Sequence, residues 1–228
     1  MGTSKSYIPP TNGEWTKAKR AVTRMVNGSV HDGLPNAVRK YASAVRTDDS
    51  FAEEFSKAVS GLLGISRGVR VNGLNRTLEE YEKEYLIGKT AKEIWEELYD
   101  EYASGGSTKE ESLASDALSK ALKNLRIESL DDLVNFDQGQ LLIELLACFA
   151  SILFAFMYEE HIRSKRTPKQ TADILNEVEK YIRSIMFEKV DISQLKDNDF
   201  INISDSNVVK NTVDDAYNTM KEYYGELN

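Results

Sequence analysis

Residues 141–158 read LLIELLACFASILFAFMY, and Glu144 and Ser151 alone interrupt an apolar run of helical length. A helix apolar nearly all round is either a membrane span or the centre of a protein core. Glu144 inside the run and Glu159-Glu160 at its end favour a central helix wrapped by neighbours, with no membrane partner. Its single cysteine, Cys148, is also the only one in the chain, which excludes an internal disulfide framework and a cysteine-based zinc site. In such a stripe a thiol acts as a small hydrophobe.

Outward from this run, every segment repeats the helical period. Downstream, Thr167-Pro168-Lys169-Gln170 has the form of a helix start, and Ile174, Leu175, Val178, Tyr181, Ile182, Ile185 and Met186 form one stripe behind it. Residues 191–205 are polar and irregular, and Val208, Val209, Thr212, Val213, Ala216, Tyr217, Met220 and Tyr223 define a C-terminal helix. Upstream, Thr90 with Glu93 and Thr108 with Glu111 have capping-box spacing, and Ser129 and Asp137 stand where helix N-caps belong. Leu78, Tyr81, Tyr85 and Leu86 read as one helix ending at Gly88. No period-two run with hairpin turns occurs. The expectation is an all-α multi-helix bundle with a central apolar helix and an extended N-terminal arm.

The front of the chain differs in charge from the rest. Residues 1–76 carry 12 Lys/Arg against 6 Asp/Glu, and residues 77–228 carry 17 against 31. Three segments follow: an arm over 1–13, a basic helical segment over 14–64 and an acidic helical domain over 65–228. Trp15, Ala18, Val22, Met25 and Val26 recur on one helix face, capped near Thr11 or Asn12. Gly28, Gly33 and Pro35 read as a break, with Pro35 in a first helical turn and His31 in the loop. Gly61, Gly64, Gly68 and Gly73 read as a second failure of the helix signal, and 61–75 as a hinge or internal boundary. Lys17, Lys19, Arg20, Arg24, Arg39 and Lys40 could contact phosphates, an acidic partner protein or the chain's own acidic half. No recognised nucleic-acid motif accompanies them.

Residue pairs for catalysis are scarce. The two histidines, His31 and His161, have no carboxylate or cysteine at metal-ligand spacing, and Tyr158 stands where a Glu-x-x-His pair would need its carboxylate. Neither a P-loop nor a dinucleotide-binding glycine pattern follows a strand. The expectation is a non-enzyme that holds no metal and binds no cofactor. With one cysteine and no signal-peptide pattern, the expected compartment is the cytoplasm.

Met1-Gly2-Thr3-Ser4-Lys5-Ser6 is a polar tether that no fold needs. It reads as a plain leader or as a handle. Removal of Met1 exposes the Gly2 α-amine, which titrates at about 7.7–8.0 where a lysine ammonium titrates at about 10.4. Gly2 is therefore the most nucleophilic nitrogen near neutral pH.

This opening, with its Pro- and Gly-bearing arm, resembles the start of the B subunit of the bacterial Qat anti-phage systems. The passage Ala103-Ser104-Gly105-Gly106-Ser107-Thr108-Lys109-Glu110-Glu111-Ser112-Leu113-Ala114-Ser115-Asp116-Ala117 resembles that family's Gly-Gly loop and acidic helix, and Leu130 to Glu160 fits in order and spacing. The arm between Tyr7 and Trp15 is shorter and poorer in proline than the family's. The resemblance implies a substrate and scaffold. A QueC-like partner would activate 7-carboxy-7-deazaguanine with ATP and place it on Gly2 as an amide, giving a covalent 7-deazaguanine adduct. Thr3, Ser4, Lys5 and Ser6 would be the part of the tether it reads. An ATPase and a TatD-like nuclease are further implied partners. The alternative is an unmodified basic-armed adaptor that binds nucleic acid or assembles a complex.

Overall fold

In the computed structural model, which describes residues 12–47, 50–103, 108–193, 195 and 206–223, the apolar run forms the middle of α8 (Gln138–Arg163). Asp137 starts it, its carboxylate accepting from the Gln140 amide at 2.7 Å. Leu141 to Ser151 are buried without a break, and so are Leu153, Phe154, Tyr158 and Ile162. The helix is long and apolar enough to cross a membrane, yet 78% of its most apolar window is covered by the protein itself. Covering large aliphatic and aromatic side chains contributes about 1.5–3 kcal/mol each, which makes α8 the axis of the core.

Nine further helices complete the bundle among the described residues, and none of these residues is in a strand. They are α1 (Gly13–Asn27), α2 (Val30–Val45), α3 (Ser50–Asn72), α4 (Leu74–Glu80), α5 (Ala91–Ala103), α6 (Lys109–Leu125), α7 (Leu130–Asn135), α9 (Pro168–Lys189) and α10 (Ser206–Glu222). The all-α bundle with a central apolar helix is what the sequence predicts. α8 packs chiefly on α9 and α6, and α1 packs on α2 and α8. Phe55 of α3 stacks on Phe149 with ring centroids 4.0 Å apart. Tyr41 of α2 donates its hydroxyl to the Ala150 carbonyl at 2.8 Å and meets Phe154 edge-on at 5.2 Å.

The caps read from sequence are in place. Thr108 with Glu111 and Thr167 with Gln170 form complete capping boxes, Thr90 and Glu93 exchange the same bonds, and Ser129 caps α7. Each such cap is worth about 1 kcal/mol.

Three expectations need correction. Gly28 does end α1, but Gly33 and Pro35 lie inside α2, which Ser29 caps. Pro35 is its sixth residue, so α2 lacks one internal hydrogen bond there, and His31 sits in its first turn instead of a loop. The helix signal does not fail at Gly61, Gly64 and Gly68, because all three lie within α3 and the hinge expected over 61–75 is mostly continuous helix. The 64/65 division of the chain falls inside it. A Cβ on Gly61 would stand 2.6 Å from the Tyr102 ring, and one on Gly68 2.6 Å from the Thr77 side chain. These glycines admit neighbours at close range. Lastly, Leu78 to Leu86 is not one helix: α4 stops at Glu80, Glu82 turns through φ 56°, and a short 3-10 turn spans Glu84–Leu86.

Candidate functional site

The root of the N-terminal arm is fixed by local hydrogen bonding and one large side chain. The Asn12 side-chain oxygen accepts from the Glu14 and Trp15 amides at 3.1 Å each, capping α1. Its amide nitrogen donates to Thr47 Oγ1 at 2.8 Å. Trp15, three residues on, is buried. Gly2, Thr3, Ser4, Lys5 and Ser6 lie outside the described residues.

Behind that root, α1 and α2 pack as an antiparallel pair. Gly33 permits this, since a Cβ there would lie 2.6 Å from the Met25 Cα. Residues 12–47 carry seven Lys/Arg and only two Asp/Glu, Glu14 and Asp32. Lys17, Arg20 and Arg24 follow one another at helical spacing on α1. With Ala21, Asn36 and Lys40 they line a cleft of about 220 Å³ between the two helices. Lys17 donates to Glu14 at 2.5 Å, and this bond, then the charges of Lys17, Lys40 and Lys221, holds the Glu14 carboxyl below its usual range. Arg20, Arg24 and Lys40 form no ion pair or side-chain hydrogen bond among the described residues. Arg39 donates to Asn36 Oδ1 at 3.1 Å and so borders the cleft.

Lys19 is separated from the others. It lines a second cleft of about 300 Å³ with Trp15, Met157, Tyr158, Glu160, His161 and Ser164. There His161 Nε2 bonds Thr23 Oγ1 at 2.8 Å. Burial, and then the charges of Lys19 and Lys165, push the His161 pKa down. Exposed glutamates gather on α4 and α5 as Glu79, Glu80, Glu93, Glu96 and Glu97, and α5 packs on α6, α3 and α7; Asp215 and Glu222 are exposed on α10, which packs on α2.

Sequence reading missed Asn36 as a cleft residue and missed the polar group around Glu144. That carboxylate is fully buried. Its Oε1 accepts from Arg183 and from Asn124 Nδ2, the latter at 2.8 Å, while its Oε2 has no hydrogen-bond partner. Burial first, and then Glu144, pushes the Cys148 thiol up to about 12. Only the interruption of the apolar run by Glu144 signalled this group. Among the described residues no three His, Cys, Asp or Glu side chains gather as metal ligands.

No curated protein and no solved structure matches the chain. A family model described as Qat anti-phage system associated protein QatB matches residues 45–222. That span runs from the last residue of α2 to the last residue of α10 and takes in α8 together with α6 and α9, the helices it packs on most, so the chain belongs to the QatB family of anti-phage defence components.

Proposed function

We propose that this protein is the acyl acceptor of its Qat system and that the acceptor atom is the Gly2 nitrogen after removal of Met1. Membership of the family supports a place in a multi-component defence system. The observation that carries the finer assignment is the Gly-Thr-Ser-Lys-Ser leader, set ahead of a helix whose start is tied down by Asn12 and Trp15. Ten residues, Gly2 to Thr11, precede that anchor and span at most about 33–36 Å when extended.

The chemistry asks little of the acceptor. A QueC-like enzyme joins the carboxylate of 7-carboxy-7-deazaguanine to the α-phosphate of ATP, giving an acyl adenylate and releasing pyrophosphate. The neutral Gly2 amine attacks the acyl carbon, the bond to AMP breaks, and the nitrogen releases one proton to solvent. The product is an amide. Glycine suits the role because it lacks a Cβ and its amine is partly deprotonated near neutral pH. Thr3, Ser4, Lys5 and Ser6 give the enzyme a polar tether to grip. In this reading the chain is cytoplasmic and is substrate and scaffold, with an ATPase and a TatD-like nuclease as further partners.

Intact-mass measurement after co-expression with the QueC-like enzyme tests it. The expected product has lost Met1 and gained one deazaguanine acyl group located by fragmentation at Gly2. Retention of Met1, or a free Gly2 amine in protein from the complete operon, removes the assignment.

A further inference from the structure

The geometry points to a nucleic-acid backbone site in the α1–α2 cleft, in which Arg20, Arg24 and Lys40 contact phosphodiesters, with Asn36 as a neutral donor beside them. Three observations support this. First, the three cations converge on one cleft of about 220 Å³ and form no ion pair among the described residues, so none need be broken when an anion arrives; Glu14, whose carboxyl Lys40 helps to hold down, is itself bonded to Lys17. Lys17 is excluded because Glu14 already holds it.

Second, the face offers nothing to a protein partner's apolar side chains. Ala21 is the sole apolar residue lining the cleft. The large hydrophobic residues exposed among the described residues are Val71, Tyr85, Ile87 and Phe187, and none belongs to α1 or α2. Protein interfaces bind through a buried apolar or aromatic centre, whereas nucleic-acid interfaces are polar and strongly positive. A cleft of unpaired cations without an apolar centre fits the second kind.

Third, position limits the competition. The exposed glutamates of α4 and α5 sit on elements for which α3, α6 and α7 are the main packing partners. The carboxylates of the pair itself are Glu14, engaged by Lys17, and Asp32, in the first turn of α2 beside His31. A protein of net charge −8 thus carries a local positive stripe at the root of its arm. This site is independent of any event at Gly2.

Releasing counterions from about three phosphates gives a slope of log K against log salt of roughly −2.7 for duplex DNA and roughly −2 for a single strand. For the duplex this amounts to an affinity loss of about 40-fold between about 50 and 200 mM salt. Fluorescence anisotropy of the full chain with labelled duplex and single-stranded oligonucleotides reads both slopes. The Arg20→Gln/Arg24→Gln/Lys40→Gln variant should bring them close to zero, while Lys57→Gln/Lys92→Gln/Lys169→Gln, on other exposed surfaces, should leave them unchanged. Circular dichroism confirms that both variants fold. Absence of binding at low salt, equal slopes in the two variants, or equally tight binding of polyglutamate at matched charge each overturns the assignment, the last in favour of an acidic protein partner.

Discussion

Gly33 of α2 faces Met25 of α1 so closely that a β-carbon on the glycine would stand 2.6 Å from the methionine Cα. The obstacle is backbone, which cannot swing aside as a long side chain can. In an unconstrained helix interior, alanine in place of glycine stabilises by up to about 1 kcal/mol. Here Gly33→Ala should destabilise the protein by about 1–3 kcal/mol, read as a lower urea midpoint. It should also spread the α1–α2 cleft and weaken anion binding there.

Glu144 and Arg183 form an unequal pair, with the carboxylate fully buried and the guanidinium partly exposed over the Phe187 ring. Removing the arginine leaves an uncompensated buried charge. Arg183→Met should cost about 2–4 kcal/mol, whereas replacing both residues by leucine should recover most of that loss. A double-variant cycle in urea measures both. Equal midpoints for the single and double variants would contradict the picture.

His161 links stability to pH with a definite sign. Its folded-state pKa is lowered by burial and by Lys19 and Lys165, so the unfolded chain binds a proton that the folded chain refuses. The penalty is absent above the unfolded value of about 6.5 and grows as pH falls through and below it. The urea midpoint should therefore drop between about pH 7.5 and pH 5.5, and His161→Gln should flatten that drop. A variant with an unchanged pH profile would show that the ring titrates freely.

Cys148 should be silent toward thiol reagents in the native protein. With its pKa pushed up to about 12, roughly one molecule in ten thousand holds a thiolate at pH 8, and the side chain is buried. Alkylation should follow global unfolding, and adding urea to its midpoint should raise the rate by orders of magnitude. Fast labelling in buffer would place the α6–α8 contact in doubt.

Local chemistry was legible in the sequence and distant contact was not. The caps at Thr90, Thr108, Ser129, Asp137 and Thr167 involve residues within a few positions, so spacing alone reveals them. The run around Cys148 showed a core helix because no other burial suits it. Gly61 and Gly68 misled because their absent side chains make room for Tyr102 and Thr77, neighbours that spacing does not reveal. Tyr81 and Tyr85 kept helical spacing while the helix ended at Glu80, ahead of Glu82, whose positive φ has no marker such as glycine. Among the basic residues the sign was readable and the convergence only partly so. Lys17, Arg20 and Arg24 share a face by period, Lys19 is turned about 100° from Arg20, and the meeting with Lys40 depends on how α1 packs against α2.

The unbroken α3 sets a length. Its 23 residues at about 1.5 Å each make a rod of roughly 35 Å, from near Thr47, where Asn12 is tied, to Asn72 beside α4. The fully stretched leader covers about that distance and no more. If Gly2 is the acceptor, an enzyme clamped beside Asn72 would meet it only at full stretch, while one standing beside the cationic cleft would find slack. On the proposed role of Gly2, α3 is the yardstick for where such an enzyme would have to stand.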